Sequence, residues 1–272
     1  MTTINTFIAV LFLLLLLLLQ LSVTVPLATP LSTTPTLQTF SNFLPSYLPP
    51  LLSSYNYTTL TPIQALSFPS TLPPTPTPTS YLLQSPTGTG KTLTYLIPLI
   101  ARLTPTRQST QSIILVPTRD LTIQVTWECR KLTKGSGVSI MGLTEGIGNQ
   151  RSAGWLRADP PHVIVGTPSL VLQMLEGESV ICEQLKTSLQ CVVLDEIDEL
   201  VTSYDKELRA VMGKLLHSKL GNRLTMFTSA TVASRGYFLK NVVKSGWCNG
   251  AKVVKVVREV RSRILYESAR QL

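Results

Sequence analysis

The eight residues Ser85-Pro86-Thr87-Gly88-Thr89-Gly90-Lys91-Thr92 decide how this chain is read. They follow a short run suited to a strand, Tyr81 to Gln84, and lead into an apolar stretch with helical spacing that begins at Lys91. A strand, a glycine-containing loop and a helix in that order make a phosphate loop. Gly88 and Gly90 let backbone N–H groups turn inward around phosphates, and the helix N-terminus adds positive potential. Lys91 then reaches the β and γ phosphates, and the Thr92 hydroxyl is placed to ligate magnesium. Ser85 stands where the generic pattern has its first glycine. The letters alone also fit a Gly/Thr turn with a surface lysine; the flanking strand and helix favour the phosphate loop.

A second informative stretch lies 104 residues beyond Lys91. Val192-Val193-Leu194-Asp195-Glu196-Ile197-Asp198 is an apolar strand that ends in carboxylates, and open α/β sheets bind ligands at the carboxyl ends of their strands. Taken alone, such an acidic group is more often a helix start whose charges face the helix dipole. Paired with a phosphate loop, Asp195 would hold magnesium through water and Glu196 would polarise the attacking water. Around these motifs, short β-branched runs alternate with amphipathic stretches, the pattern of an α/β fold with a mostly parallel sheet flanked by helices. Strands are predicted at Tyr81 to Gln84, Ser112 to Val116, Val138 to Met141, His162 to Gly166, Cys191 to Leu194 and Arg223 to Thr228. Thr118 before Arg119-Asp120, and Pro168 at a first turn, mark helix starts.

Charge is distributed unevenly. Residues 1 to 90 contain no Asp, Glu, Lys, Arg or His, so the net charge of +9 belongs wholly to the chain from Lys91 onward. A concentrated basic excess draws polyanions, which makes RNA, DNA or an anionic membrane the candidate partners; a solubility balance is the bland alternative. The apolar run Phe7 to Leu19 is short for a spanning helix and close to a signal-peptide core, yet the MTTINT before it lacks the Lys or Arg of a targeting segment. Secretory, organellar or membrane targeting, membrane contact through this run, and an intracellular chain with a mispredicted start all stay open. Residues 26 to 80 are rich in Pro, Ser and Thr, which predicts extended chain rather than packed core, except that Phe40 to Leu52 is spaced like a short docking element. The four cysteines, at 129, 182, 191 and 248, form no CxxC pair and read as reduced, mostly buried thiols. His162 and His217 each stand alone, so structural roles suit them better than zinc.

With those residues in view, the chain resembles the DEAD-box RNA helicases over residues 40 to 240. Leu60-Thr61-Pro62-Ile63-Gln64 resembles the family's Q motif, with Tyr57 at its aromatic position and Phe40 near its isolated upstream aromatic. The sequence SPTGTGKT resembles motif I, Pro117-Thr118-Arg119-Asp120-Leu121 motif Ia, Thr167-Pro168 the start of motif Ib, Asp195 to Asp198 motif II, and Ser229-Ala230-Thr231 motif III. The resemblance implies a RecA-like P-loop NTPase domain that uses ATP and Mg2+. Gln64, Tyr57 and Phe40 would then read adenine. Ser85, Thr87, Gly88, Thr89, Gly90, Lys91 and Thr92 would hold phosphates, and Thr92 with Asp195 would hold the metal. Lys91, Asp195 and Glu196 would carry the chemistry. Pro117, Thr118, Arg119, Thr167 and Pro168 would line a groove for the RNA backbone with little sequence selectivity, while Asp198, Ser229 and Thr231 would couple nucleotide state to RNA.

The chain also departs from the family's pattern. Ile197 replaces alanine, Asp120 shortens a glutamate, Ser169-Leu170 stands for Gly-Arg, and the expected double glycine is present only as Gly142-Leu143 or Glu145-Gly146. A second RecA-like domain, which completes the γ-phosphate and RNA contacts in the family, does not follow before Leu272; it would act in trans or be lost from the gene model. The valines and basic residues of Ala251 to Arg263 fit a last strand and linker, or a basic amphipathic helix, with the strand favoured. The predicted organisation is a hydrophobic targeting or anchor segment over 1–25, a low-complexity leader over 26–38, the ATP-binding domain over 39–250 and a basic tail over 251–272. The expected function is an RNA-helicase-type ATPase that unwinds poorly alone; the alternative is a non-catalytic nucleotide- or RNA-binding module derived from a truncated helicase.

Overall fold

The computed structural model describes residues 36–74, 79–145, 158–177, 179–216, 223–230, 247, 251–257 and 265–267. Eight strands form one sheet: β1 Thr79–Gln84, β2 Ser112–Leu115, β3 Ile140–Gly142, β4 Val163–Gly166, β5 Cys191–Leu194, β6 Leu224–Ser229, β7 Ala251–Val257 and β8 Leu265–Glu267. Their order across the sheet is β3-β4-β2-β5-β6-β1-β7-β8. Every pairing is parallel except that of β8 with β7. The basic tail therefore begins as the favoured strand, with Ala251–Val257 set beside β1.

Successive strand residues face opposite sides, and each side has its own core. Tyr81, Leu83, Ile114, Val116, Cys191 and Val193 face one apolar cluster, and Leu82, Ile113, Leu115, Val192 and Leu194 face the other. The first face is covered by a 3₁₀ turn, Leu37–Phe43, and by α1 Leu48–Ser54, α2 Pro62–Thr71, α3 Lys91–Ile100 and α4 Arg119–Leu132. The second is covered by α5 Pro168–Gly177, α6 Ser179–Ser188 and α7 Ile197–Leu216, the last kinked at Tyr204. Parallel strands buried on both faces explain the near-continuous apolar runs by which the sequence announced them.

Within residues 26 to 80 the stretch Phe40 to Leu52 packs into the core, burying Phe40, Leu44, Leu48 and Leu52, in keeping with its spacing. Outside that stretch the Pro, Ser and Thr content predicted extended chain, and there the expectation is corrected: 36–39 and 53–74 are folded and bury Leu37, Ile63 and Phe68. Composition misled because Pro49, Pro50 and Pro62 occupy the first turns of α1 and α2, where no N–H partner is needed, although Pro69 lies inside α2. The hydroxyls of Ser53, Ser67 and Thr71 bond to helix carbonyls instead of competing with the helix. The apolar run Phe7 to Leu19 lies outside the described residues, as do His217, Cys248 and Thr231. Among the described residues no helix is long and apolar enough to cross a membrane.

Candidate functional site

Because the strands are parallel, the loops that follow β1, β2, β4, β5 and β6 all leave from one edge of the sheet. Ser85 to Gly90 follows β1, and Asp195 follows β5, with only β6 between those strands. Two strand spacings amount to about 10 Å, a span that one nucleotide phosphate group with its cation can bridge. The two motifs separated by 104 residues in sequence thus meet across a single strand.

The loop itself is shaped by two left-handed glycines, Gly88 at φ 75° and Gly90 at φ 89°. Gly90 is also crowded, since an added Cβ would lie 2.8 Å from the Gln64 amide nitrogen and 3.1 Å from Thr61 Cγ2. Thr87 and Gly88 form the exposed tip, and Ser85 is buried at the base with its hydroxyl 2.6 Å from that of Thr89. Lys91 folds back and donates to the carbonyls of Ser85 at 2.7 Å and Pro86 at 3.0 Å. Burial lowers the pKa of its ammonium, while the carboxylates of Asp195, Glu196 and Asp198 pull it back up. Gln64 is buried and ties the loop to α2: its amide nitrogen donates to Gly90 O at 3.2 Å, and its oxygen accepts from Thr61 N at 2.9 Å within a capping box.

On the opposite side Asp195 is buried with both carboxylate oxygens engaged. Tyr95 Oη donates to Oδ2 at 2.8 Å. Thr228 Oγ1 donates to Oδ1, which also accepts from Glu196 N at 3.2 Å. Glu196 N lies 3.0 Å from Thr228 Oγ1 as well. These bonds hold Glu196 at φ 50°, a left-handed conformation that a non-glycine residue keeps only when its surroundings impose it. Burial raises the pKa of the Glu196 carboxyl, followed by repulsion from Asp195 and Glu199. Tyr95 and Thr228 were missed in the sequence. The signals were Tyr95 lying one helical turn after Thr92, and Thr228 ending the strand that separates the two motifs.

Other sequence-selected residues occupy the same edge at differing distances from this centre. Ser229 ends β6, its carbonyl accepting from Ser85 N at 3.3 Å, and Asp198 lies in the first turn of α7. Ile197, the departure from alanine, is buried in the second core. Pro117, Thr118 and Arg119 follow β2, and Thr167 and Pro168 follow the adjacent β4, so these five lie together on the other half of the edge. Thr118 and Arg119 are exposed, with Thr118 Oγ1 capping α4 at Leu121 N; Pro117, Thr167 and Pro168 are buried. Phe40 and Tyr57 are turned elsewhere in this structure. Phe40 is 8 % exposed and packs edge-on against Phe68, with 5.9 Å between ring centres. The Tyr57 hydroxyl bonds to Glu128 and Lys131 of α4. His162 is structural: Nδ1 accepts from Ser139 N, and Nε2 donates to Pro105 O. A separate cavity of about 250 Å³ beside α4, lined by Ile123, Trp127, Arg130 and Gly142, lies apart from these groups.

A cation would suit Asp195. Its carboxylate accepts from two hydroxyls and one amide, and among the described residues it forms no salt bridge, so its charge is hydrogen-bonded but not neutralised by direct contact. The glycine loop, the lysine beside it and the carboxylate on the neighbouring side define a RecA-like phosphate-loop domain. The DEAD/DEAH box helicase family model matches residues 61–237, and the chain belongs to that family. It is 35% identical over 173 residues to DEAD-box ATP-dependent RNA helicase 58, chloroplastic, of Arabidopsis thaliana, covering 61% of this chain and 35% of that one. The fold matches that of the yeast DEAD-box splicing factor Prp28 with a TM-score of 0.68 at 22% identity, over 81% of this chain and 51% of that one. It also matches Mss116p, solved with single-stranded RNA and AMP-PNP, with a TM-score of 0.65 at 23% identity, over 78% of this chain and 44% of that one. The chain spans about a third of the length of the relatives it matches.

Proposed function

We propose that this domain binds ATP with magnesium and hydrolyses it as the ATP-binding half of an RNA-helicase-type ATPase. The observation that carries the reading is the meeting of the Gly88–Gly90 loop with Asp195 across one strand, with Lys91 in the field of three carboxylates. Lys91 leaves the carbonyls of Ser85 and Pro86 to meet the β and γ phosphates, while the amides around Gly88 and Gly90 surround them. Thr92 and Asp195 are the residues that would hold magnesium, which would supply neutralisation of phosphate charge. Glu196, kept in place through its backbone by Asp195 and Thr228, accepts a proton from the attacking water. Gln64 contacts adenine from its place beside Gly90, with Tyr57 completing that side after local movement, while Phe40 stays packed on Phe68 behind them.

RNA lies along the other half of the edge, its backbone met by the exposed Thr118 and Arg119 and by the chain around Thr167 and Pro168. The chain's net charge of +9 favours a polyanionic partner. Among the described residues, the charged groups that act on Lys91 are Asp195, Glu196 and Asp198, with no arginine. A second RecA-like body acting in trans would supply that contact, and related phosphoryl transfer gains roughly 10³ to 10⁵ in rate from such an arginine. The 272 residues alone therefore bind ATP, turn it over slowly and unwind poorly. ATP turnover with and without single-stranded RNA, for the wild type, Lys91→Ala and Glu196→Gln, tests this. Wild-type turnover above both variants supports an ATPase. Equal rates in all three, with ATP still bound, would favour a non-catalytic nucleotide and RNA module.

A further inference from the structure

Tyr95 is fully buried on α3, one turn beyond Thr92, with its ring in the first apolar core. A phenylalanine would fill that space equally well, and a buried hydroxyl is costly unless it is bonded. This one donates to Asp195 Oδ2 at 2.8 Å. The direction of the bond follows from counting protons. A phenol has one proton to give, and a carboxylate can only accept.

We propose that Tyr95 is a positioning residue for a magnesium site formed by Thr92 and Asp195, fixing the carboxylate with its own proton. The proposal deepens the ATP-site reading above and rests on it. Thr228 performs the matching task on Asp195 Oδ1, so the carboxylate is held from both sides. The hydrogen-bonded chain Tyr95–Asp195–Thr228 thereby joins α3 to the end of β6.

The test separates binding of the metal from binding of the nucleotide. Affinity for a fluorescent ADP analogue is measured in magnesium and in EDTA, for the full wild-type chain and for Tyr95→Phe, with melting curves alongside. The variant should retain wild-type affinity in EDTA and lose about tenfold of the gain that magnesium confers, the usual worth of one hydrogen bond to a charged group. An unchanged magnesium gain, or equal losses in both conditions, overturns the proposal. A wild type that binds the analogue in neither condition instead removes the ATP-site reading, a failure visible without the variant. If Tyr95→Phe melts below the assay temperature, tyrosine ¹³Cζ labelling of the wild type serves: the buried, non-titrating tyrosine signal should move when magnesium is added to the ADP complex. A signal indifferent to magnesium overturns the proposal.

Discussion

Replacing Gly90 by alanine tests how tightly the phosphate loop is bound to α2, and Gly88 provides a matched control. Both glycines are left-handed, at φ 89° and 75°, so an alanine at either costs about 1–2 kcal/mol in backbone conformation. Nothing lies within 4 Å of a Cβ built on Gly88. At Gly90 the new carbon would lie 2.8 Å from Gln64 Nε2 and 3.1 and 3.2 Å from Thr61 Cγ2 and Oγ1. Gln64 cannot simply rotate away, because one end of its amide bonds to Gly90 O and the other to Thr61 N. Losing one or both of those bonds adds about 1–3 kcal/mol. A chain of this size loses roughly 2–4 °C of melting temperature per kcal/mol, so Gly90→Ala should melt on the order of 10 °C lower and Gly88→Ala about 4 °C lower. Thermal denaturation followed by circular dichroism measures both. The difference should shrink in a Gln64→Ala background, where the nearest contact is gone while those with Thr61 remain. Equal melting of the two glycine variants, or a difference unchanged by Gln64→Ala, would refute the steric coupling.

Thr228→Val removes the hydroxyl that donates to Asp195 and faces Glu196 N; it should cost about 2–4 kcal/mol in urea unfolding and reduce ATP turnover more than ATP binding. Full stability with full turnover would show that the bond is dispensable. Phe40→Leu should lower stability by about 1–2 kcal/mol, because the ring is buried against Phe68, while changing ADP affinity less than threefold. A large loss of affinity at unchanged stability would place the ring on adenine instead. The thiols of Cys129 and Cys191 are pushed up to about 12 by burial, whereas Cys182 is only partly buried. Iodoacetamide at pH 8 should therefore alkylate Cys182 well before Cys129 or Cys191 in the native chain, and all three at similar rates in urea. The folded pKa of each buried thiol exceeds its unfolded value, so their contribution to stability is complete below about pH 8.5 and falls as pH rises toward 12. Double substitution to alanine should flatten that alkaline decline.

The centre of the fold was legible because its strands are buried on both faces, leaving runs such as Cys191 to Leu194 without polar interruption. The phosphate loop was legible because few other uses require glycines at 88 and 90 next to Lys91. Part of the first-face cover was hidden: around α2 a Pro/Ser/Thr composition reads as loose chain until Ile63 and Phe68 are seen in the core, whereas the spacing of Phe40 to Leu52 already pointed to docking. Tyr95 and Thr228 were hidden for another reason. Their hydroxyls matter only through Asp195, 100 and 33 residues away, and such distant pairing leaves no local pattern.

ATP binding with magnesium, as proposed, requires one cation shared between the two halves of the site. Calorimetric titration of ATP into the wild type, Thr92→Val and Asp195→Asn, each in magnesium and in EDTA, tests that sharing most directly. Both variants should lose most of the affinity gained from magnesium while binding ATP in EDTA as the wild type does. An Asp195→Asn chain that keeps the full magnesium gain while Thr92→Val loses it would place the ion away from Asp195 and contradict the account.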